Sequence, residues 1–178
     1  MSRIRITGGE WRSRLIKVNP RVKNLRPTPD RVRVTLFNWL GQDLSGRACL
    51  DLFAGSGVLG FEAASRGATL VTLIEQDQGA FEVLRQNAQA LGAERLQLIR
   101  SDAVKFAAAA VPRYDLIFLD PPYRQGWLER IEPWLGQLAL PGAQLYIEAE
   151  HAIESLGNWR SIKQDHAGQV FYQLMEQS

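Results

Sequence analysis

Two short segments of the sequence carry residue types and spacings that suit chemistry. In the first, the apolar stretch 48–53 is followed by Gly55, Gly57 and Gly60, and amphipathic sequence begins at Val58. Glycines let the backbone turn sharply and bring main-chain N–H groups close to a ligand. The start of a helix adds partial positive charge at the same point. The segment therefore predicts a strand, a ligand-binding loop and a helix.

Three interpretations of this loop compete. The spacing of Gly55, Gly57 and Gly60, with Glu75 at the end of the next apolar stretch, matches the dinucleotide-binding fingerprint. However, Asp51 lies four residues before the first glycine, where a carboxylate would repel a pyrophosphate. An acid at this position suits a ligand with a cationic amino-acid end, such as S-adenosylmethionine, and this is the interpretation that we prefer. An ordinary strand–turn–helix without a ligand is the third possibility.

The second segment is Asp120-Pro121-Pro122-Tyr123, directly after an apolar stretch. Two prolines fix φ and remove two donors, which holds the carbonyls of Asp120 and Pro121 outward. A carboxylate and a carbonyl can accept both hydrogens of an exocyclic –NH₂ group on a base, and Tyr123 offers a ring for stacking. Because the lone pair of such an amine is delocalised, these hydrogen bonds favour the geometry in which it attacks an electrophile. The segment predicts the catalytic centre of an amino-methylating enzyme.

Acidic residues recur at the ends of successive predicted strands, where ligands bind in open α/β sheets. Glu75 suits the two ribose hydroxyls of a nucleoside. Asp102, with the Ala103 N–H beside it, suits the adenine amino group, although Asp102 could also be a helix N-cap. Phe53 belongs to the same predicted cofactor site, and Arg26 and Thr28 are expected to close over the cofactor or an RNA substrate.

Hydrophobic periodicity predicts how these segments are positioned. The predicted strands are 48–53, 70–75, 96–100, 115–120 and 143–148, and the alternating helices are 58–66, 78–91, 103–110 and 126–138. Residues 159–164 and 169–175 form a predicted antiparallel hairpin, which gives a mostly parallel sheet of seven strands in an α/β fold. A further helix is expected to begin with Thr28 as N-cap, Pro29 at N1 and Asp30 in the first turn, to bury Val34, and to stop at Gly41.

The N-terminal part of the chain is strongly basic. Residues 1–33 contain 10 Lys and Arg against 2 acidic residues, whereas the remainder contains 11 against 17. Alternation in residues 3–7, the Gly8-Gly9 pair and a second extended run up to residue 18 predict a β-hairpin. Basic side chains interleaved with an aromatic ring suit a phosphate backbone and an unstacked base. The predicted RNA-binding residues are Arg3, Arg5, Trp11, Arg12, Arg14 and Lys17.

Composition limits the class of protein. The chain has 178 residues, 46% hydrophobic and 22% charged, which predicts one globular domain: a hairpin extension over 1–24 and a catalytic core over 25–178. The single cysteine, Cys49, is expected to be a buried residue in a reducing cytoplasm. We expect no signal peptide, membrane span or metal site, and a monomer.

Further segments carry a resemblance to a known family. They are Arg5-Ile6-x-Gly8-Gly9-x-Trp11-Arg12, Arg26-Pro27-Thr28-x-Asp30-Arg31-Val32-Arg33, Leu36-Phe37-Asn38-Trp39-Leu40 and Ala167-Gly168-Gln169-Val170. Together with the two motifs above, they make the chain similar to the class I S-adenosylmethionine-dependent methyltransferases with a Rossmann-like fold. More closely, the chain resembles the bacterial 16S ribosomal RNA guanine-N2 methyltransferase family (RsmD-like).

The resemblance implies methyl transfer to N2 of one guanine of 16S RNA, position 966 in the family's name. The acceptor would lie in an assembling or assembled 30S subunit, and S-adenosyl-L-homocysteine would be the second product. Adenine-N6 methylation of RNA or DNA is the alternative, since Asp120-Pro121-Pro122-Tyr123 suits any exocyclic amine. Glutamine methylation of a protein, a nicotinamide oxidoreductase and a non-catalytic RNA-binding factor are further alternatives.

Overall fold

Strands and helices alternate along most of the chain in the computed structural model, which describes residues 2–22 and 26–178. The strands are β1 (Ser2–Arg5), β2 (Leu15–Val18), β3 (Ala48–Asp51), β4 (Leu70–Glu75), β5 (Leu96–Arg100), β6 (Tyr114–Leu119), β7 (Ala139–Ala149), β8 (Ser155–Leu156), β9 (Trp159–Ala167) and β10 (Val170–Gln177). The helices are α1 (Asp30–Leu40), α2 (Val58–Ser65), α3 (Gln78–Leu91), α4 (Ala103–Ala109) and α5 (Trp127–Leu138).

One mixed sheet organises the fold, with the strand order β5-β4-β3-β6-β7-β10-β9-β8. Strands β3 to β7 pair in parallel, whereas β10 pairs antiparallel with both β7 and β9. The predicted α/β fold with a C-terminal antiparallel hairpin is therefore confirmed. The sheet has eight strands instead of the predicted seven, because the two-residue strand β8 pairs with the start of β9. A strand of two residues is too short to show a hydrophobic period.

The strand order reverses in the middle of the sheet and fixes the position of the site. From β3 the chain moves outward to β4 and β5, then returns to β6 on the other side of β3 and continues to β7. At such a switch point, the loops that follow the two central strands diverge and leave a crevice. The loops after β3 and β6 contain the two motifs identified in the sequence, so the topology brings both motifs to one crevice.

Several predicted boundaries differ from those observed. Strand β3 ends at Asp51, two residues earlier than predicted, because Leu52 and Phe53 already belong to the loop. Strand β7 begins at Ala139 instead of residue 143, and a register shift on β6 between Tyr114 and Leu116 accommodates the extra length. The predicted bounds of α3 and of β4 and β5 are confirmed.

Helix α1 begins differently from the prediction. Its N-cap residue is Pro29, and no side chain caps the first turn, so the prediction of Thr28 as N-cap is wrong. Thr28 is buried, and its hydroxyl donates to a carboxylate 120 residues away in the chain. Val34, expected on the buried face, is 45% exposed. The predicted boundary between residues 24 and 25 lies outside the described residues.

The N-terminal strand pair β1–β2 packs against the core. Ile6, Trp11 and Ile16 are buried in the same hydrophobic cluster as Phe37 of α1 and Phe61 of α2. This shared packing supports the single domain expected from the sequence, which stays a prediction.

The connection between β1 and β2 corrects the role predicted for Trp11. It is a loop over residues 6–14 and not a two-residue turn. This loop folds back onto α2 so closely that a Cβ on Gly9 would lie 2.0 Å from the Ser65 carbonyl oxygen. The backbone N–H of Trp11 donates to Ser65 Oγ at 2.9 Å, and Trp11 is 5% exposed. Its indole ring is therefore part of the core, and the prediction that it stacks on an RNA base is wrong.

A buried ion network joins the N-terminal loop to two helices. The Glu62 carboxylate of α2 accepts from the Thr7 backbone N–H and hydroxyl, from Arg33 Nη1 at 2.8 Å and from Arg66 Nη1 at 2.7 Å. Arg33 and Glu62 are fully buried. Because removing one member would leave an uncompensated buried charge, this network fixes how the N-terminal segment sits on the core.

Candidate active site

A cavity of about 1100 Å³ opens beyond the carboxyl ends of the central parallel strands. Most of the residues predicted for catalysis and cofactor binding line it. They are Arg26, Thr28, Asp51, Phe53, Gly55, Glu75, Ala103, Asp120, Pro121, Pro122 and Tyr123. The tertiary structure thus brings five separate segments of the chain to one site. In the part of the chain that the structure describes, no group of three or more His, Cys, Asp or Glu residues could hold a metal ion.

The loop after β3 owes its shape to glycine. Gly57 has φ of +82°, a left-handed conformation that other residues rarely adopt, and a Cβ there would lie 2.3 Å from Leu84 Cδ2. The Gly55 N–H donates to Glu75 Oε1 at 2.9 Å, which ties the loop to the end of β4. Gly57 therefore supports the loop, whereas Gly55 lines the cavity.

Glu75 is held in place by the backbone. Its Oε2 accepts from the Asp77 N–H at 2.8 Å, so each carboxylate oxygen has one main-chain donor. Each oxygen retains acceptor capacity for a second hydrogen bond, which suits ribose hydroxyl groups. Burial raises the pKa of Glu75, and the backbone donors oppose that shift.

Asp51 has a buried carboxylate oxygen without a partner. The residue is 1% exposed, and among the described residues its Oδ1 accepts no hydrogen bond. Burial raises the pKa of Asp51 to about 7, and the charges of Glu75 and Glu148 add to the increase. A buried carboxylate without a partner is costly. Its position in the cavity wall therefore suits a cationic ligand group such as the amino group of S-adenosylmethionine, so the residues fit that cofactor.

Asp102 has a structural task that the sequence left open. Its Oδ1 accepts from the backbone N–H groups of Val104 and Lys105 at 2.9 and 3.0 Å, which makes it the N-cap of α4. Ser101 and Ala103, on either side of Asp102, line the cavity. A contact between the second oxygen of Asp102 and adenine stays a prediction.

The loop after β6 presents the proline motif to the cavity. Asp120 is half-buried, Pro121 is buried, and Tyr123 is half-buried. The guanidinium carbon of Arg26 lies 4.5 Å from the centre of the Tyr123 ring, in a cation–π contact. A base that stacks on Tyr123 must use the opposite face or displace Arg26. The stacking role of Tyr123 stays a prediction, and so does closure by Arg26 over a ligand.

Glu148 is a site residue that the sequence reasoning missed. It lies near the end of β7, lines the cavity and is 4% exposed. The hydroxyls of Thr28 and Tyr146 both donate to its Oε1 at 2.7 Å. The pKa of Asp120 is raised well above its usual value, first by burial and then by the Glu148 carboxylate. The signal in the sequence was an acid at the end of the fifth predicted strand, 143–148.

A basic hairpin patch covers the outer face of β1–β2 and its loop. We define it as the exposed side chains Arg3, Arg5, Arg12, Arg14 and Lys17. The polypeptide leaves this patch and reaches the cavity directly, because Asn19, Arg21 and Val22 line the cavity wall. The chain that carries the patch therefore runs from the end of β2 to the wall of the cavity. Its contact with RNA stays a prediction.

Comparison with known proteins decides the family. The family model described as conserved hypothetical protein 95 matches residues 4–176. The ribosomal RNA small subunit methyltransferase D of Escherichia coli K12 is 41% identical over 97% of this chain and 89% of its own length. The chain belongs to this methyltransferase family. The relative of the same name in Haemophilus influenzae is 38% identical over 97% of this chain and 93% of its own length.

Solved structures give the same result for the fold. A structure from Escherichia coli has a TM-score of 0.88 at 41% identity, with 99% of both chains covered. An RNA methyltransferase from Salinibacter ruber, solved with S-adenosyl-L-homocysteine, has a TM-score of 0.68 at 18% identity over 84% of this chain and 92% of that chain. The fold of the chain is the class I methyltransferase fold. In the part that the structure describes, every helix is too short or too polar to span a lipid bilayer.

Proposed function

We propose that this protein transfers a methyl group from S-adenosylmethionine to the N2 amine of a guanine in 16S ribosomal RNA of the small subunit. One observation carries the proposal: Asp51, whose buried Oδ1 accepts no hydrogen bond, and the Asp120-Pro121-Pro122-Tyr123 loop line the same cavity. A site for a cationic donor thus adjoins a site for an exocyclic amine. The chain's relatives are named for small-subunit ribosomal RNA, which supports that acceptor.

The residues would divide the cofactor between them. Asp51 pairs with the amino group of the methionine moiety, and Glu75 accepts from the ribose hydroxyls. The loop at Gly55 approaches the methionine chain of the cofactor. The Ala103 N–H lies at the adenine end of the cavity, and Phe53 lies in the cavity wall. When bound, S-adenosylmethionine supplies a methyl group on a cationic sulfonium, which is a strong electrophile.

The catalytic loop positions the nucleophile. The Asp120 carboxylate and the Pro121 carbonyl accept the two hydrogens of the guanine amine, while Tyr123 holds the plane of the base. Positioning is the main contribution of such a loop, since a well-oriented pair of reactants gains several kcal/mol of barrier reduction, of the order of 7 or more. After attack, the amine nitrogen loses a proton to Asp120 or to water.

The RNA would reach the cavity along the basic hairpin patch. Its side chains meet the phosphate backbone, and residues after β2 carry the contact to the cavity wall. We further propose that the acceptor lies in an assembling or assembled 30S subunit in the cytoplasm, and that the protein acts as a monomer. Light scattering of the purified protein tests the monomer, because a dimer would double the mass.

The test uses purified protein and methyl-labelled S-adenosylmethionine. Small subunits and naked 16S RNA that lack the modification are offered, and the RNA is digested to nucleosides. Label in N2-methylguanosine supports the proposal, and the better of the two acceptors shows whether a particle is needed. Label in N6-methyladenosine would leave the site assignment intact and replace the acceptor with adenine. Absence of label from both acceptors would refute the proposal.

A further inference from the structure

Strand register places two carboxyl groups side by side at the floor of the cavity. Strands β6 and β7 are parallel neighbours, and Leu119 is paired with Ile147. The next residue on each strand is an acid, Asp120 on one and Glu148 on the other, and both line the cavity. Neighbouring strands lie about 4.8 Å apart, and side chains at paired positions point to the same face, so the two carboxyl groups are neighbours. Two carboxyl groups this close in a buried site favour a state in which they hold one proton between them.

The surroundings of Glu148 are built to hold negative charge. The Tyr146 hydroxyl on the same strand and the Thr28 hydroxyl before α1 both donate to Glu148 Oε1 at 2.7 Å. Hydrogen bonds donated to a carboxylate favour its ionised form. Since both donors reach the same oxygen, the second oxygen of Glu148 is available to Asp120.

Other charged groups around the pair also change the pKa of Asp120. Asp51, at the end of β3, faces the pair and adds repulsion, whereas Arg26 opposes the increase in the pKa of Asp120. Tyr146 and Tyr123 also lie beside the pair, and burial raises the pKa of each hydroxyl, so both remain neutral. Among the charges around Asp120, the Glu148 carboxylate therefore raises its pKa most.

We propose that Glu148 is a positioning residue, which shares one proton with Asp120 in the free protein and draws that proton to itself when the target amine donates to Asp120. The first half, the shared proton, concerns the free protein alone. The second half, the movement of that proton to Glu148, rests on the proposed function. With the proton drawn to Glu148, Asp120 is an anion that accepts the amine hydrogen. Without Glu148, Asp120 would depend on water as its proton exchange partner.

Methyl transfer forms one bond and breaks another. The nitrogen lone pair of the amine forms the new N–C bond, the C–S bond breaks, and its electron pair stays on sulfur as a neutral thioether. The methylated nitrogen now carries a positive charge and releases one proton to the Asp120 carboxylate. The carboxyl pair then holds two protons, and one of them leaves to water in the cavity, which returns the pair to its starting state.

Titration of the free protein tests the first half. The carboxyl carbon of Asp120 is followed by ¹³C NMR against pH and assigned from its absence in Asp120→Asn. Glu148→Gln keeps the side-chain shape and an oxygen that accepts from both hydroxyls, so we expect a folded protein. In this variant the apparent pKa of Asp120 falls by at least one pH unit, because the neighbouring charge is gone. Tyr146→Phe removes a donor to Glu148 and shifts the titration of the pair upward by half a unit or more.

Glu176→Gln is the matched control. Glu176 is exposed on β10, at the opposite end of the same sheet, and its variant leaves the Asp120 titration unchanged. An Asp120 titration that stays the same in Glu148→Gln would overturn the shared proton. Shifts of the same sign in Glu148→Gln and Tyr146→Phe would also overturn it. A non-specific change in the structure of the site would move the Asp120 titration in the same direction in both variants.

The pH dependence of methyl transfer tests the second half. The rate of a single turnover falls at low pH as Asp120 becomes fully protonated, and Glu148→Gln shifts this fall to lower pH by about the change that NMR measures. A rate lowered equally at every pH would refute a role through Asp120. A wild-type protein that methylates no RNA, together with a shifted NMR titration in Glu148→Gln, would refute the proposed function and support the shared proton.

Discussion

Asp51→Asn should make the free protein more stable and its cofactor binding weaker. The folded protein holds Asp51 with a pKa of about 7, compared with 3.8 for the unperturbed carboxyl. Because the folded state binds this proton more tightly than the unfolded state, stability falls as pH rises from about 4 to about 7. Above pH 7, ionised Asp51 lowers the free energy of unfolding by about 4 kcal/mol, because its two pKa values differ by roughly three. This is an upper value, since the folded protein relaxes around the charge.

Asparagine has nearly the same shape and no charge, so it removes the penalty. We expect the free energy of unfolding to increase by up to about 4 kcal/mol at pH 8 but only by about 1.5 kcal/mol at pH 5. For a chain of this length, the larger value corresponds to an increase in Tm of roughly 8 °C or more. Thermal and denaturant unfolding of the free protein at the two pH values measure both quantities. Glu94→Gln, at an exposed position, is the control and should leave both unchanged.

The same variant should bind S-adenosylmethionine less tightly, by about 10- to 100-fold, because a hydrogen bond between charged groups is lost. Calorimetric titration measures this affinity, and S-adenosylhomocysteine should show a similar loss since it has the same amino group. Asp51→Asn with unchanged stability at pH 8 would refute the energetic cost of burying the Asp51 charge. Undiminished affinity for both ligands would refute the assignment of Asp51 to their amino group.

Three further predictions concern the catalytic loop and the hairpin. Asp120→Ala should abolish turnover while cofactor binding survives, and near-normal turnover would exclude its assigned role. Changing the four arginines of the basic hairpin patch to alanine should weaken RNA binding. It should also make the slope of log affinity against log salt concentration shallower by about 3. An unchanged slope would place the RNA contact elsewhere. Trp11→Ala should lower the free energy of unfolding by about 3 kcal/mol or more, because it empties a core position. Trp11→Phe refills most of that space, so its RNA affinity should equal that of the wild type, and a weaker affinity in the folded variant would restore Trp11 as an RNA contact.

The parts of the fold that depend on local pattern could be predicted from the sequence. Alternating apolar stretches and amphipathic segments indicated β4, β5 and α3 at their observed bounds. The prediction was weaker where tertiary contacts set the limits. Strand β7 is longer because it pairs with β6 through a register shift, and β8 exists only because β9 lies beside it. Neither pairing leaves a period in the sequence.

The same division applies to the candidate site. Asp51, Glu75 and Asp120 could be identified because an acid at the end of an apolar strand has a known destination in a parallel sheet. The sequence by itself thus determined the two motifs, the fold class and the basic N-terminal segment. These features are set by residue type and near-neighbour spacing.

Only the tertiary structure decided which side chains meet across long separations. Thr28 donates to Glu148 across 120 residues, and Thr7 binds Glu62 across 55. Trp11 is buried because its loop folds onto α2, although its neighbours in the sequence, Glu10 and Arg12, are exposed. Such contacts depend on strand order and loop path, and these are fixed by the packing of the whole chain. The carboxyl pair of Asp120 and Glu148 exists because β6 and β7 are adjacent, and this adjacency is a property of the sheet.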